Sequence, residues 1–215
     1  MKTVRTRVLT LASSTRKILG ALCLSLCALS VAAEAADNTK PASRSTLGLN
    51  ALEAGELLLR DVCLPAILEQ KSIGKLAISV GGLSVAANLY GAGRDDKAYR
   101  LGPITTAVYV IDWADGSCTT RVNRGDAEML RGMAERTILA RPEAFVRGSH
   151  RLEDSGRVMR TVYCAQSGPE RLVASITTPG PVTRRGTPAL SSTVYRAQGA
   201  SALCAATSAD QSSTD

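Results

Sequence analysis

The chain has 215 residues, a single histidine, seven aromatic residues and a formal net charge of +7. Most of that charge belongs to the first 35 residues. Beyond them 21 basic residues face 18 acidic ones, a net of +3, which gives no warrant for a nucleic acid or an anionic membrane surface as partner.

Residues 1–35 combine Lys2, Arg5, Arg7, Arg16 and Lys17 with an apolar run from Ile18 to Ala33 and an Ala33-Glu34-Ala35 cleavage pattern. This is the pattern of a secretory signal peptide. Its apolar run is shorter than the ~20 residues of a spanning helix, so no stable membrane insertion is expected after cleavage. Leu22 and Leu26 precede Cys23 and Cys27 where a lipidation signal carries a small residue, and both cysteines leave with the leader. The mature chain, periplasmic or secreted, is expected to begin near Ala36. Residues 36–46 read as a flexible lead, 47–205 as one domain and 206–215 as a disordered tail, and about 180 residues suit a single core.

Leu52, Leu59, Val62, Cys63, Ala66 and Ile67 recur on one helical face, with Glu53, Glu56 and Arg60 outward. Pro65 deletes a backbone donor and crowds the carbonyl of Asp61, predicting a kink or a break into two short helices. Ser72 to Val80 is read as a short helix capped by Gly81, in preference to strands at Leu76 to Val80 and Leu83 to Ala87. Gly91 to Gly102 is read as a loop, and its Gly-Ala-Gly lacks the third glycine and following helix of a nucleotide fingerprint.

An apolar strand from Ile104 to Asp112 follows, then an Asp115-Gly116 turn of the two-residue type, and a return strand over Ser117 to Asn123. That register places Trp113 opposite Cys118, where it reads as a core plug. Asp126 opens a helix whose Leu130, Met133, Ala134, Thr137 and Ile138 face inward and whose Arg131, Glu135 and Arg136 face outward; Pro142 closes it. Three strands complete the chain: Arg157 to Cys164, Leu172 to Thr178 and Ala189 to Arg196. The expected fold is α+β, a mainly antiparallel sheet of about five strands with N-terminal helices and one central helix on one face.

Four cysteines remain after cleavage: Cys63, Cys118, Cys164 and Cys204. An even number in an exported chain reads as two disulfides, with three connectivities open. The preferred pairing is Cys118 with Cys164, because both fall on the apolar side of their strands with Val122 and Val162, leaving Cys63 for Cys204. Gaps of tens of residues and one histidine argue against a metal site.

The segments Cys63-Leu64-Pro65, Gly116-Ser117-Cys118, Tyr163-Cys164 and the late Cys204 resemble small exported proteins of proteobacteria with a four-cysteine mature domain. That resemblance implies export and disulfides, and no activity.

Catalytic candidates are incomplete. His150 stands between Arg147 and Arg151, which disfavour the imidazolium of a general base, and no Gly-x-Ser-x-Gly elbow accompanies it. Asp95, Asp96, Asp112 and Asp115 could serve a hydrolase only if the fold converged them. Arg184-Arg185 is a lone basic pair in a loop. The sequence thus carries no catalytic, metal or cofactor signature and points to a monomeric, non-catalytic binding or accessory module for a protein or envelope component. The alternative is a small envelope hydrolase with converged carboxylates.

Overall fold

Helix α1 starts at Ala51 because Asn50 closes a capping box. Its side chain accepts hydrogen bonds from the Leu52 and Glu53 amides, and the Glu53 carboxylate accepts from the Asn50 amide. The computed structural model describes residues 48–102, 107–183, 185–198 and 204. The expected leader, lead and tail lie outside these residues.

Of the kink or break expected at Pro65, the break does not occur. Helix α1 (Ala51–Leu58) passes through a π-helical turn (Leu59–Cys63) into α2 (Leu64–Leu68), an unbroken 18-residue helical stretch. The Leu64 amide donates to the Leu59 carbonyl, five residues back. The wider turn lies just where a normal helix would drive the proline ring against the Asp61 carbonyl. Ser72 caps α3 (Ile73–Ser79), and Gly81, at φ +87°, ends the turn after it.

The sheet corrects the expectation of about five strands. Among the described residues it has eight, all antiparallel, in the order β1-β2-β3-β4-β8-β7-β6-β5. The strands are β1 (Leu83–Val85), β2 (Lys97–Leu101), β3 (Val108–Asp112), β4 (Cys118–Val122), β5 (Val146–Glu153), β6 (Val158–Ser167), β7 (Glu170–Pro179) and β8 (Leu190–Gln198). The additional strands are β1, β2 and β5. β2 falls inside the segment read as a loop, and β5 runs through Arg147, His150 and Arg151, where no strand was expected. β5 is an edge strand with a register shift between Arg147 and Ser149, so neither face is consistently apolar.

Helix α4 (Ala127–Leu139), capped by the Asp126 side chain at 2.9 Å from the Met129 amide, crosses from β4 to the far edge strand β5. β6, β7 and β8 then meander back until β8 pairs with β4. The helices share one core with one sheet face: Leu58, Leu59, Val62, Cys63, Leu130, Met133 and Ile138 pack with Val108, Val110, Cys118, Leu172, Ala174, Leu190 and Val194. The opposite face, free of α-helix among the described residues, carries two smaller apolar groups. One holds Val162, Cys164, Val173 and Cys204, the other Ala92, Tyr109 and Ile111 with Tyr90 and Trp113 against them.

The β3–β4 turn also differs by one residue. The Trp113 amide donates to the Ser117 carbonyl at 3.1 Å and the Gly116 amide to the Trp113 carbonyl at 2.9 Å, so Cys118 stands opposite Asp112. Of the three loop residues Ala114-Asp115-Gly116 only the glycine has positive φ, +82°, the pattern of a type I turn with a left-handed third residue. Asp115 instead holds the turn by accepting from the Ser117 amide at 2.9 Å and hydroxyl at 2.7 Å. Trp113 consequently lies on the helix-free face, half-buried, with its indole N–H donating to the Thr119 hydroxyl at 2.7 Å. It does not plug the core beside Cys118.

Both disulfides exist, with a different pairing from the preferred one. Cys63 bonds to Cys118 and Cys164 to Cys204. The preferred Cys118–Cys164 link is impossible here, because Cys118 and Val122 face the helices whereas Cys164 and Val162 face away. β8 and β7 also separate their strands, an interval of three strand spacings, about 14 Å. Among the described residues no helix is long and apolar enough to cross a membrane.

Candidate functional site

Residues directly opposite each other in neighbouring strands share a face. Followed across all eight strands, the pairings place Leu83, Arg100, Tyr109, Arg121, Ser191, Thr177, Arg160 and Arg151 in one row. The row lies on the helix-free face, because Tyr109 belongs to the apolar group there. The next row inward contains Ile111, Thr119, Thr193 and Ser175, where the Thr119 and Thr193 hydroxyls are 2.8 Å apart.

The arginines in the row are held differently. Arg151 and Arg160 both pair with Glu153, at 2.8 and 3.0 Å. Arg121 donates from Nη1 to the Tyr90 carbonyl at 2.9 Å, and its guanidinium carbon stands 5.9 Å from the centre of the Tyr109 ring. The Tyr90 and Tyr109 rings are 4.2 Å apart, so a short 3-10 turn (Ala87–Tyr90) borders this part of the face. Arg100 and Arg121 are half-buried, and among the described residues neither forms an ion pair.

The carboxylates have other roles. Asp96 is a loop clamp, accepting from the Gly93 amide at 2.5 Å and from the Ala114 amide at 2.8 Å. Asp95 is exposed. Asp112 and Asp115 both line a cleft of roughly 420 Å³ beside the link from α2 to α3, together with Gln70, Lys71, Ser72 and Arg196. Burial pushes the Asp112 carboxyl above its ordinary range, Lys97 pulls it down and Asp96 pushes it up. Asp115 is occupied by its turn.

His150 lies on exposed β5 with Nδ1 2.8 Å from the Thr161 hydroxyl, and this ring nitrogen faces no carboxylate. Arg184 lies outside the described residues, and Arg185 is exposed. Among the described residues no cluster of three potential metal ligands occurs. The four cysteines are structural, each in a disulfide.

The arginine row leaves no trace in the sequence, because its members are spread over some sixty positions and no two are adjacent. Only strand register brings them together. Comparison with known protein families, curated proteins and solved structures finds no significant match to this chain.

Proposed function

We propose that this chain is an exported, non-catalytic module that holds an envelope component against the helix-free face of its sheet. The observation that carries the reading is the row of four arginines interleaved with Tyr109, Ser191 and Thr177 on that face. Arginine forks and hydroxyls are donors suited to an oxygen-rich ligand. The leader pattern and two disulfides support an oxidising compartment, periplasmic or extracellular. In this reading the protein works as a monomer without cofactor, and its partner is an anionic envelope component rather than a nucleic acid. The resemblance to exported proteobacterial proteins is consistent with it.

The test is co-sedimentation of the leader-free, oxidised protein with isolated envelope fragments, beside a Thr177→Glu variant that places a negative charge in the row. Retention of the wild type and its loss in the variant is the expected result. Equal retention of both would move the binding surface elsewhere, and no retention of either would remove the reading.

One observation favours the hydrolase reading: Asp112, its acidity weakened by burial, shares a cleft with Asp115. Hydrolysis of an envelope polymer that disappears in Asp112→Asn would establish it.

A further inference from the structure

We propose that Arg100 and Arg121 form a clamp for a phosphate monoester dianion, a ligand assignment that rests on the binding reading above. The two residues flank Tyr109 on adjacent strands of the same row. Their backbones are two strand spacings apart, about 10 Å, a span that two arginine side chains can close from either side of one oxyanion.

Both Nε atoms are buried and have no hydrogen-bond partner. That alone is not distinctive, since Arg131 and Arg141 also have unbonded Nε atoms. Each of those, however, holds an ion pair, with Glu128 and Glu143 respectively. Arg151 and Arg160 share Glu153, and Arg196 pairs with Glu170. Among the described residues Arg100 and Arg121 are thus two half-buried cations without an ion pair that share one row, in which the other two arginines are neutralised; Arg171, half-buried on the same face and also without an ion pair, lies outside that row. A partly desolvated cation without an anion is unfavourable, and an anion seated between the two guanidinium groups would relieve both.

The surroundings restrict what that ligand is. Asp96, the acid preceding β2, is held in its loop by two backbone amides and forms no ion pair with either arginine. The Tyr90 carbonyl orients the Arg121 fork without neutralising it. Two fixed positive charges match a doubly charged oxyanion, and guanidinium forks bind phosphate oxygens in bidentate geometry. A singly charged carboxylate would leave one cation unmatched.

The experiment titrates the oxidised, leader-free protein with inorganic phosphate and with glycerol 3-phosphate at low ionic strength. Calorimetry gives the stoichiometry, and the arginine Nε–Hε resonances give the location. Saturable one-site binding is expected, with movement of the Arg100 and Arg121 resonances and weakening of about tenfold or more in Arg100→Gln and in Arg121→Gln. Arg100→Lys, which keeps charge and loses the fork, should weaken binding less than Arg100→Gln. Arg171→Gln, outside the row, should leave it unchanged. If the glutamine variants do not fold, the resonance shifts in the wild type and the lysine variant decide.

No saturable phosphate binding, or binding that moves neither resonance, overturns the clamp. Acetate or citrate binding as tightly as phosphate overturns the phosphate assignment. Envelope retention blocked by Thr177→Glu but indifferent to phosphate would overturn the clamp while leaving the binding function intact. Phosphate binding without envelope retention would do the reverse.

Discussion

Cys63 and Cys118 are joined where the π-helical turn meets β4, with their Cα atoms 5.3 Å apart. Both are fully buried, and the Thr120 hydroxyl on the same strand donates to the Cys63 sulfur at 3.4 Å. The bond closes 55 residues, a length for which the chain-entropy model gives ~4 kcal/mol of stabilisation. Non-reducing peptide mapping should recover Cys63–Cys118 and Cys164–Cys204. A C63A/C118A variant should show a clearly lower denaturation midpoint. Recovery of a Cys118–Cys164 peptide would contradict the arrangement of the two sheet faces.

Leu130 is 2% exposed in the core between α4 and the sheet, whereas Arg136 points to solvent from the same helix. Leu130→Ala should cost about 2 to 5 kcal/mol through lost burial and a residual cavity. Arg136→Ala should stay within about 0.5 kcal/mol, as surface changes do. Equal shifts in urea midpoint for the two variants would mean that the helix presents a different face.

These two cases also mark what the sequence discloses. The α4 face is local, since Leu130, Met133, Ala134, Thr137 and Ile138 are spaced for one side of a helix, and all five are buried. The Cys63–Cys118 link is not local. It depends on which sheet face each cysteine occupies, and apolar neighbours mark Val122 and Val162 alike although they lie on opposite faces. β5 was hidden for a related reason: an exposed edge strand with a bulge shows no alternation to read. The arginine row is the extreme case. Arg100, Arg121, Arg151 and Arg160 have no shared sequence signal, and their alignment comes from six strand pairings acting together.

Arg196 reaches from β8 to the end of α2, donating from Nε to the Ile67 carbonyl and from Nη2 to the Leu68 carbonyl, both at 2.8 Å. These are among the carbonyls a helix leaves without internal partners. Glu170 on β7 holds the same guanidinium. Arg196→Ala should therefore cost about 1.5 to 3 kcal/mol, the range for hydrogen bonds to charged groups. Glu170→Gln should cost less, about 1 kcal/mol or under, because the pair is partly exposed. Hydrogen exchange at the amides of Leu64, Ala66, Ile67 and Leu68 should speed up in Arg196→Ala more than in Glu170→Gln. The reverse order would show that the ion pair, and not the helix cap, fixes this junction.

Asp112 gives the fold a pH dependence of its own. Its carboxyl is raised chiefly by burial, with Asp96 adding to the rise and Lys97 opposing it; Lys71, Asp115 and Arg196 line the same cleft. A raised carboxyl binds its proton more tightly in the folded than in the unfolded chain, where its pKa is about 3.9. Below that value Asp112 is protonated in both states and has no effect. As pH climbs from there through the raised folded value, the native state gives up stability, and above it the full penalty of the buried charge remains. Asp112→Asn removes the ionisation. The variant should be more stable than the wild type at pH 7, and the difference should shrink towards pH 3. Thermal denaturation of both proteins across that range checks it: a variant that is less stable at pH 7 would mean that the Asp112 charge is favourably paired in the cleft.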